Sequence, residues 1–363
     1  MGDPTNPKTW SGTPFNLYSE LKNMNYLGSA FNSYALDNKL EKILIKLIAK
    51  FYYSNSVDLG RGYFERYKNA KKVIVETSKS STNLTLHTGT FDLPFYKLPK
   101  NQKHYLFCDS TWNLWSSCST DMKGYTSKLM EDAEKLERKA YYQMEHIFPI
   151  SEYVKENLVT HYGVNPKKIT VVGTGAGVIK PYFGEKDYSN GKILFAAKGR
   201  FEDKGGSLVL EAFRKALKTN PKLELIIVGQ NDYTDKIKIS ESKIKVYGFL
   251  PINELQNIFN ECSIFLMPAI NEPWGLVYIE ALTCKMPIIG LNRNGFPEIS
   301  AKGEYGFGIN NSNPDKLSEI LLEAFSNPRK LADMGTRGQE YCLNTFTWKS
   351  TVSKIINTLI NNE

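Results

Sequence analysis

Cysteine is scarce in this chain of 363 residues: Cys108, Cys118, Cys262, Cys284 and Cys342 are odd in number and form no close pair. That pattern speaks against a disulfide framework or a cysteine zinc site and for reduced thiols in a cytosol. Long hydrophobic runs are also absent, and no apolar stretch approaches the roughly 20 residues that a membrane-spanning helix needs. The opening Met1 to Pro7, MGDPTNP, lacks the basic start and apolar core of a secretory signal, so a cytoplasmic location is expected. Internal repeats and low-complexity tracts are missing. So are zinc-finger, homeodomain and RNA-recognition signatures, which leaves nucleic acid without support as a partner.

The composition that remains is that of a globular protein, with 41% hydrophobic and 23% charged residues and enough length for two domains with separate cores. The net charge is +8, and 24 Lys and Arg against 18 Asp and Glu up to residue 185 put +6 of it in the first half. Such an excess favours anionic partners, phosphates or acidic lipids among them.

The richest stretch runs from Asn271 to Glu280, Asn-Glu-Pro-Trp-Gly-Leu-Val-Tyr-Ile-Glu. It follows the apolar run Ile264 to Met267, which reads as a buried strand ending at Pro268. Glu272 then falls in the loop at the strand's carboxyl end, and Gly275 to Cys284 reads as a helix. The first turn of that helix offers free N–H groups to a diphosphate. Glu280, about two turns further on, can accept hydrogen bonds from vicinal hydroxyls such as those of a ribose. A plainer reading makes Glu272 a solvated loop acid and Glu280 a surface helix residue. Around this stretch, Ile193 to Ala197, Leu223 to Val228, Ile244 to Tyr247 and Ile288 to Leu291 are further apolar runs separated by helical segments, the pattern of a parallel sheet covered on both faces. Arg200 and Lys204 follow the first of these strands, and their cations suit a diphosphate.

The motif Glu-Pro-Trp-Gly-Leu-Val with its second Glu resembles the E-x7-E signature of the retaining nucleotide-sugar glycosyltransferases of family 4. Gly199-Arg200 with Lys204-Gly205-Gly206, and Gly295-Phe296-Pro297-Glu298, occur in the order that family shows. The resemblance implies an α/β protein with two Rossmann-like domains facing a cleft, the GT-B fold. It implies an acceptor-binding domain over residues 1–185, a nucleotide-sugar domain over 186–345, and a helix over 346–363 crossing back to the first domain. By the same resemblance, Ser11 to Thr13 with Gly12 forms a first-domain loop facing the cleft, and only polar, Pro-containing residues precede it where the family has its opening strand: either upstream residues are missing from this sequence or the sheet lacks a central strand. Tyr247-Gly248-Phe249-Leu250 holds the base. Gly199, Arg200, Lys204, Glu272, Trp274, Gly275, Leu276, Val277 and Glu280 complete the donor site.

Elsewhere the first half gives weaker signals. Leu84 to His87 and Tyr105 to Cys108 read as buried strands, so His87 and Asp109 lie at strand ends where ligands of open α/β sheets gather. Each also has a plain reading, as a structural histidine or as a turn acid. Lys39 to Tyr53 sets Leu40, Ile43, Leu44, Leu47, Ile48 and Phe51 on one helical face and Lys39, Lys42, Lys46 and Lys50 on another. This is either a helix packing its stripe on the domain's sheet or a helix lying on an anionic membrane surface. Lys168 to Gly177 imitates a dinucleotide fingerprint, but the third glycine is one residue early and Pro181 blocks a long following helix, so a dehydrogenase is not expected. In the family, a strand and such a glycine turn close the first domain, and Gly184 to Gly191 is the linker.

The expected reaction is transfer of a sugar, with retention, from a nucleoside diphosphate to a saccharide or lipid-linked acceptor, at or near the inner face of the membrane. Arg200, Lys204 and the amides from Trp274 to Val277 would stabilise the leaving diphosphate. Glu272 would orient the sugar or balance the oxocarbenium-like ring, and His87 and Asp109 would meet the acceptor. The family is thought to react on one face of the sugar, and no paired second carboxylate supports a double displacement. No cofactor is expected beyond the donor, the cations taking the place of magnesium. The reading from another class is a subunit that binds a nucleotide sugar without turning it over.

Overall fold

The computed structural model describes residues 2–33, 38–80, 82–119, 122–197, 199–229, 234–237 and 241–361. The chain forms two compact units, one of residues 1–174 with 348–363 and one of residues 175–347.

The first unit is built on three parallel strands, β1 (Leu84–Thr88), β2 (Lys103–Cys108) and β3 (His146–Pro149), paired in that order. Its helices are α1 (Thr13–Asn23), α2 (Lys39–Tyr52), α3 (Tyr63–Thr77), α4 (Trp112–Cys118), α5 (Ser127–Gln143) and α6 (Glu152–Thr160). Several start on side-chain caps, which satisfy amides that a helix's first turn leaves open. Thr111 caps α4 through Leu114 N–H, and Ser151 caps α6 through Val154 N–H. Leu106, Ala140, Ile147 and Leu158 are among the fully buried side chains of its core. Among the described residues no strand precedes Gly12, and β3 has a charged and aromatic lead-in that hides it from a pattern search. The strand expected at Lys168 to Val172 is only a single bridge, Ile147 to Ile169, after a 3-10 turn at Pro166–Lys168. Thr170 N–H donates to Ile147 O and Val172 N–H to Pro149 O, both at 3.0 Å, which continues the contact beyond the bridge.

The apolar stripe of α2 does not pack on the sheet. α2 touches α3 and the turn Leu59–Arg61 with its opposite side, where Ala49 and Tyr53 are fully buried around Leu129. Tyr53 anchors the junction, its hydroxyl donating to Asp132 Oδ2 at 2.7 Å and accepting from Tyr63 N–H at 2.8 Å.

The second unit carries six parallel strands, β4 (Lys192–Ala197), β5 (Glu224–Gly229), β6 (Ile244–Tyr247), β7 (Ile264–Leu266), β8 (Ile288–Leu291) and β9 (Gly306–Ile309). Their spatial order is β6-β5-β4-β7-β8-β9. The order reverses between β4 and β7, the point at which open α/β sheets open a crevice for ligands. Helices α7 (Gly206–Thr219), α8 (Ile252–Glu261), α9 (Leu276–Thr283), the short α10 (Phe296–Ile299), α11 (Pro314–Ser326) and α12 (Pro328–Thr345) complete it. Residues 175–191 are tied into this unit. Lys186 donates to the carbonyls of Phe259, Asn260 and Cys262 at the end of α8, and Tyr188 donates to Lys285 O. Helix α13 (Trp348–Asn361) returns to the first unit, where it packs on α1 and buries Val352, Ile355 and Ile356. Among the described residues no helix is long and apolar enough to cross a membrane.

Candidate active site

The loops after β4 and β7 meet closely because of one glycine. Gly205 has φ +83°, and a Cβ there would come within 2.4 Å of Pro268 O, so only glycine lets the two backbones approach. The contact is then stitched by hydrogen bonds. Ile270 N–H donates to Asp203 O at 2.8 Å, and the Arg200 guanidinium donates to Asn271 O at 2.9 Å. Asp203 holds Arg200 from the other side, accepting from Nε at 3.0 Å and lying 2.9 Å from Nη2. Lys204 is buried, and its ammonium contacts Glu272 Oε2. Burial pushes the Lys204 ammonium down to about 7 and the neighbouring Arg200 charge adds to this, while Asp203 opposes it. Direct contact with the Glu272 carboxylate favours the charged form.

The third motif joins the same place. Gly295 N–H donates to Pro273 O at 3.1 Å, and a Cβ at Gly295 would meet Trp274 at 2.6 Å. Trp274 is therefore a packing residue of the loop, buried and set edge-on to Phe346 with ring centres 5.8 Å apart. Gly275 caps α9 with φ +86°, and the first-turn amides of Leu276 and Val277 follow. Tyr278, in the same turn, donates to Met267 O and ties the helix start to the end of β7. Tyr247 to Leu250 lie at the carboxyl end of edge strand β6, with Tyr247 and Phe249 exposed.

Glu280 differs from the simple expectation of an open ribose acceptor. It is buried, and its Oε1 accepts from Val178 N–H at 2.6 Å and Ile179 N–H at 3.1 Å. A Cβ on Gly177 would come within 2.4 Å of the same oxygen. One carboxylate oxygen is thus committed to the segment that opens the second unit. The sequence reading missed this role for Gly177, since the glycine turn was read only against a dinucleotide motif. It also missed Asp203, whose position three residues after Arg200 is the signal that could have exposed it.

In the first unit, Gly12 lies in a left-handed turn with Trp10 and Ser11, at φ +84°, +44° and +55°, and caps α1. Asp109 follows β2, and burial raises its carboxyl to about 6, opposed by its own amide and the Trp10 indole. His87 is buried, with Nδ1 3.0 Å from Asp92 Oδ1 and Nε2 2.9 Å from His104 Nδ1. Gln102 donates its amide to Ile74 O and turns Oε1 to His104 Nε2 at 3.3 Å, so His104 donates outward from Nε2 and accepts from His87. Burial holds the His104 ring neutral, lowered to about 3. The chain of bonds occupies both nitrogens of His87. The expectation that this histidine meets an acceptor is therefore corrected to a buried structural link, because contact with a ligand would break one of the two bonds.

Two Rossmann-like units, the second with its site loops at the sheet's reversal point, define a GT-B-type α/β protein. Residues 181–341 match the Glycosyl transferases group 1 family. Over 168 residues it is 29% identical to a GDP-mannose-dependent monoacylated alpha-(1-6)-phosphatidylinositol monomannoside mannosyltransferase of Corynebacterium glutamicum, covering 43% of this chain and 44% of that one. Among solved structures, the sucrose-phosphate synthase of Thermosynechococcus elongatus superposes with TM-score 0.64 at 14% identity, covering 82% of this chain and 79% of that one. WaaG, a glycosyltransferase involved in lipopolysaccharide biosynthesis, superposes with TM-score 0.61 at 16% identity, covering 80% and 81%. The sequence matches span about half the length of the curated relatives, and the structural likeness establishes the fold.

Proposed function

We propose that the chain is a retaining glycosyltransferase that moves a sugar from a nucleoside diphosphate to a saccharide or lipid-linked acceptor. The observation that carries this reading is the meeting of Arg200, Lys204 and Glu272 beside the first turn of α9, on the loops where the strand order reverses. Breaking the bond between the sugar carbon and the phosphate oxygen develops negative charge on the leaving diphosphate and positive charge on the ring. Arg200, Lys204 and the amides at Leu276 and Val277 answer the first; Glu272, once released from Lys204 by the incoming phosphate, answers the second. Prepositioned donors of this kind need no reorganisation during the chemical step, which is why they lower the barrier.

Glu280 would use its remaining hydrogen-bonding capacity for the ribose, and Tyr247 to Leu250 would flank the base. Gly12 would approach the donor, and Asp109, whose carboxyl burial raises to about 6, would meet the acceptor. No cofactor beyond the donor is proposed. The excess of positive charge in the first unit and the lysines of α2 support a cytoplasmic protein held at the inner membrane surface, where a lipid-linked acceptor would lie.

The experiment is a panel of labelled nucleotide sugars scored for binding and for nucleotide release, with and without saccharide and lipid-linked acceptors. Acceptor-dependent release of nucleotide with one donor, and an anomeric product of unchanged configuration, is the expected result. Binding without release under every acceptor condition would favour the non-catalytic subunit.

A further inference from the structure

Helix α2 exposes six large apolar side chains on one face: Leu40, Ile43, Leu44, Leu47, Ile48 and Phe51. Phe51 is 91% and Leu40 77% accessible, values that a packed helix does not show. Successive residues of a helix turn by about 100°, so these six share a face roughly 140° wide, and Ala49 and Tyr53, which bind the helix to the first unit, lie opposite. Lys39 and Lys50 border one edge of the apolar face, and Lys42 and Lys46 lie further round toward the packed side, all four exposed. On the other edge, Lys128 places its ammonium 3.3 Å from the centre of the Tyr52 ring. The acid of the helix body, Glu41, is paired with Lys72 at 3.0 Å.

We propose that α2 inserts this apolar face into the interface of an anionic lipid bilayer, with its lysines reaching the headgroups. The inference deepens the membrane attachment proposed above and rests on it: charge alone would hold the protein loosely, whereas the exposed leucines, isoleucines and Phe51 supply buried area. The charge pattern fits this occupant, since cationic edges beside an apolar centre match anionic headgroups over acyl chains. A second copy of the chain fits less well. A helix of 14 residues is about 21 Å long, and a face about 10 Å wide covers roughly 200 Å², well short of the ~800 Å² per partner of a stable protein interface. Packing two such faces together would also bring both sets of lysines side by side.

The test is co-sedimentation of the full chain with vesicles of phosphatidylcholine alone and with roughly 30% phosphatidylglycerol added. Native protein is compared with the triple variant Leu44→Gln, Leu47→Gln, Phe51→Gln and with a variant carrying Gln at Lys39, Lys42, Lys46 and Lys50. All seven positions are exposed, so unchanged thermal unfolding is expected and is measured alongside. The apolar variant should partition at least about 100-fold less to anionic vesicles, at low salt as well as high. The lysine variant should lose its preference for anionic over neutral vesicles. Anionic-vesicle binding that ignores the apolar substitutions, no binding by the native chain at low salt, or lipid-free self-association abolished by the triple variant would each overturn the proposal. Vesicle binding is read without donor or acceptor, and sugar transfer to a soluble acceptor is read without lipid, so failure of either idea is visible separately.

Discussion

Gly177→Ala is a small change with a specific expected cost. Gly177 is not in the left-handed region, so alanine suits its backbone, and in the absence of a clash the substitution would stabilise by about 0.4–1 kcal/mol through the unfolded chain. Its Cβ, however, would come within 2.4 Å of Glu280 Oε1, and the carboxylate must move away from Val178 and Ile179 N–H. Losing two charge-assisted bonds to largely buried amides costs about 1.5–3 kcal/mol each, partly recovered if the carboxylate finds new partners, which leaves a net loss of roughly 2–4 kcal/mol. For a unit of about 170 residues this lowers Tm by roughly 5–12 °C. Glu280→Ala removes the same bonds and should cost a similar amount. In that background Gly177→Ala has no carboxylate to strike and should be neutral or stabilise by up to about 1 kcal/mol. Urea unfolding of the two single variants and the double variant measures the coupling. Additive effects would refute the view that Gly177 is kept small to seat Glu280.

The same geometry separates the two motif glutamates: Glu280→Gln keeps an oxygen for the two amides and should weaken donor binding more than turnover, whereas Glu272→Gln should slow turnover of bound donor, as calorimetry and single-turnover kinetics would show. Arg200→Ala and Lys204→Ala should each lower kcat/KM by about 2–4 kcal/mol equivalent with little loss of stability, and wild-type turnover in both would remove the cations from the mechanism. Burial lowers the Lys204 ammonium below the ordinary lysine range while Glu272 favours its charged form, so donor affinity should fall as pH rises through the lysine's folded-state titration, and Lys204→Arg should abolish that fall in a binding titration. The sign for folding is opposite: between that titration and the ordinary lysine value the unfolded chain holds a proton that the folded chain has released, so this group's contribution to stability increases with pH over that window.

The strands of the second unit were legible in the sequence because parallel strands covered on both faces are continuous apolar runs; Ile244–Tyr247 and Ile288–Leu291 fall where the pattern puts them. The motif residues Arg200, Lys204 and Glu272 were legible for a different reason: their chemistry and order are local, and a parallel sheet puts the ends of its strands on one side. Only the tertiary structure decided how Glu280 spends an oxygen on Val178 and Ile179, roughly a hundred residues away, since a hydrogen bond between distant segments leaves no periodic trace. It likewise decided that His87 is enclosed between Asp92 and His104, because the three meet through strand pairing and loop return. The clearest division is at α2. Its amphipathic period was readable from residue spacing, but a period gives two faces without saying which one the protein covers. Ala49 and Tyr53 settle that by packing on α3 and Leu129, which leaves the leucines, isoleucines and Phe51 outside.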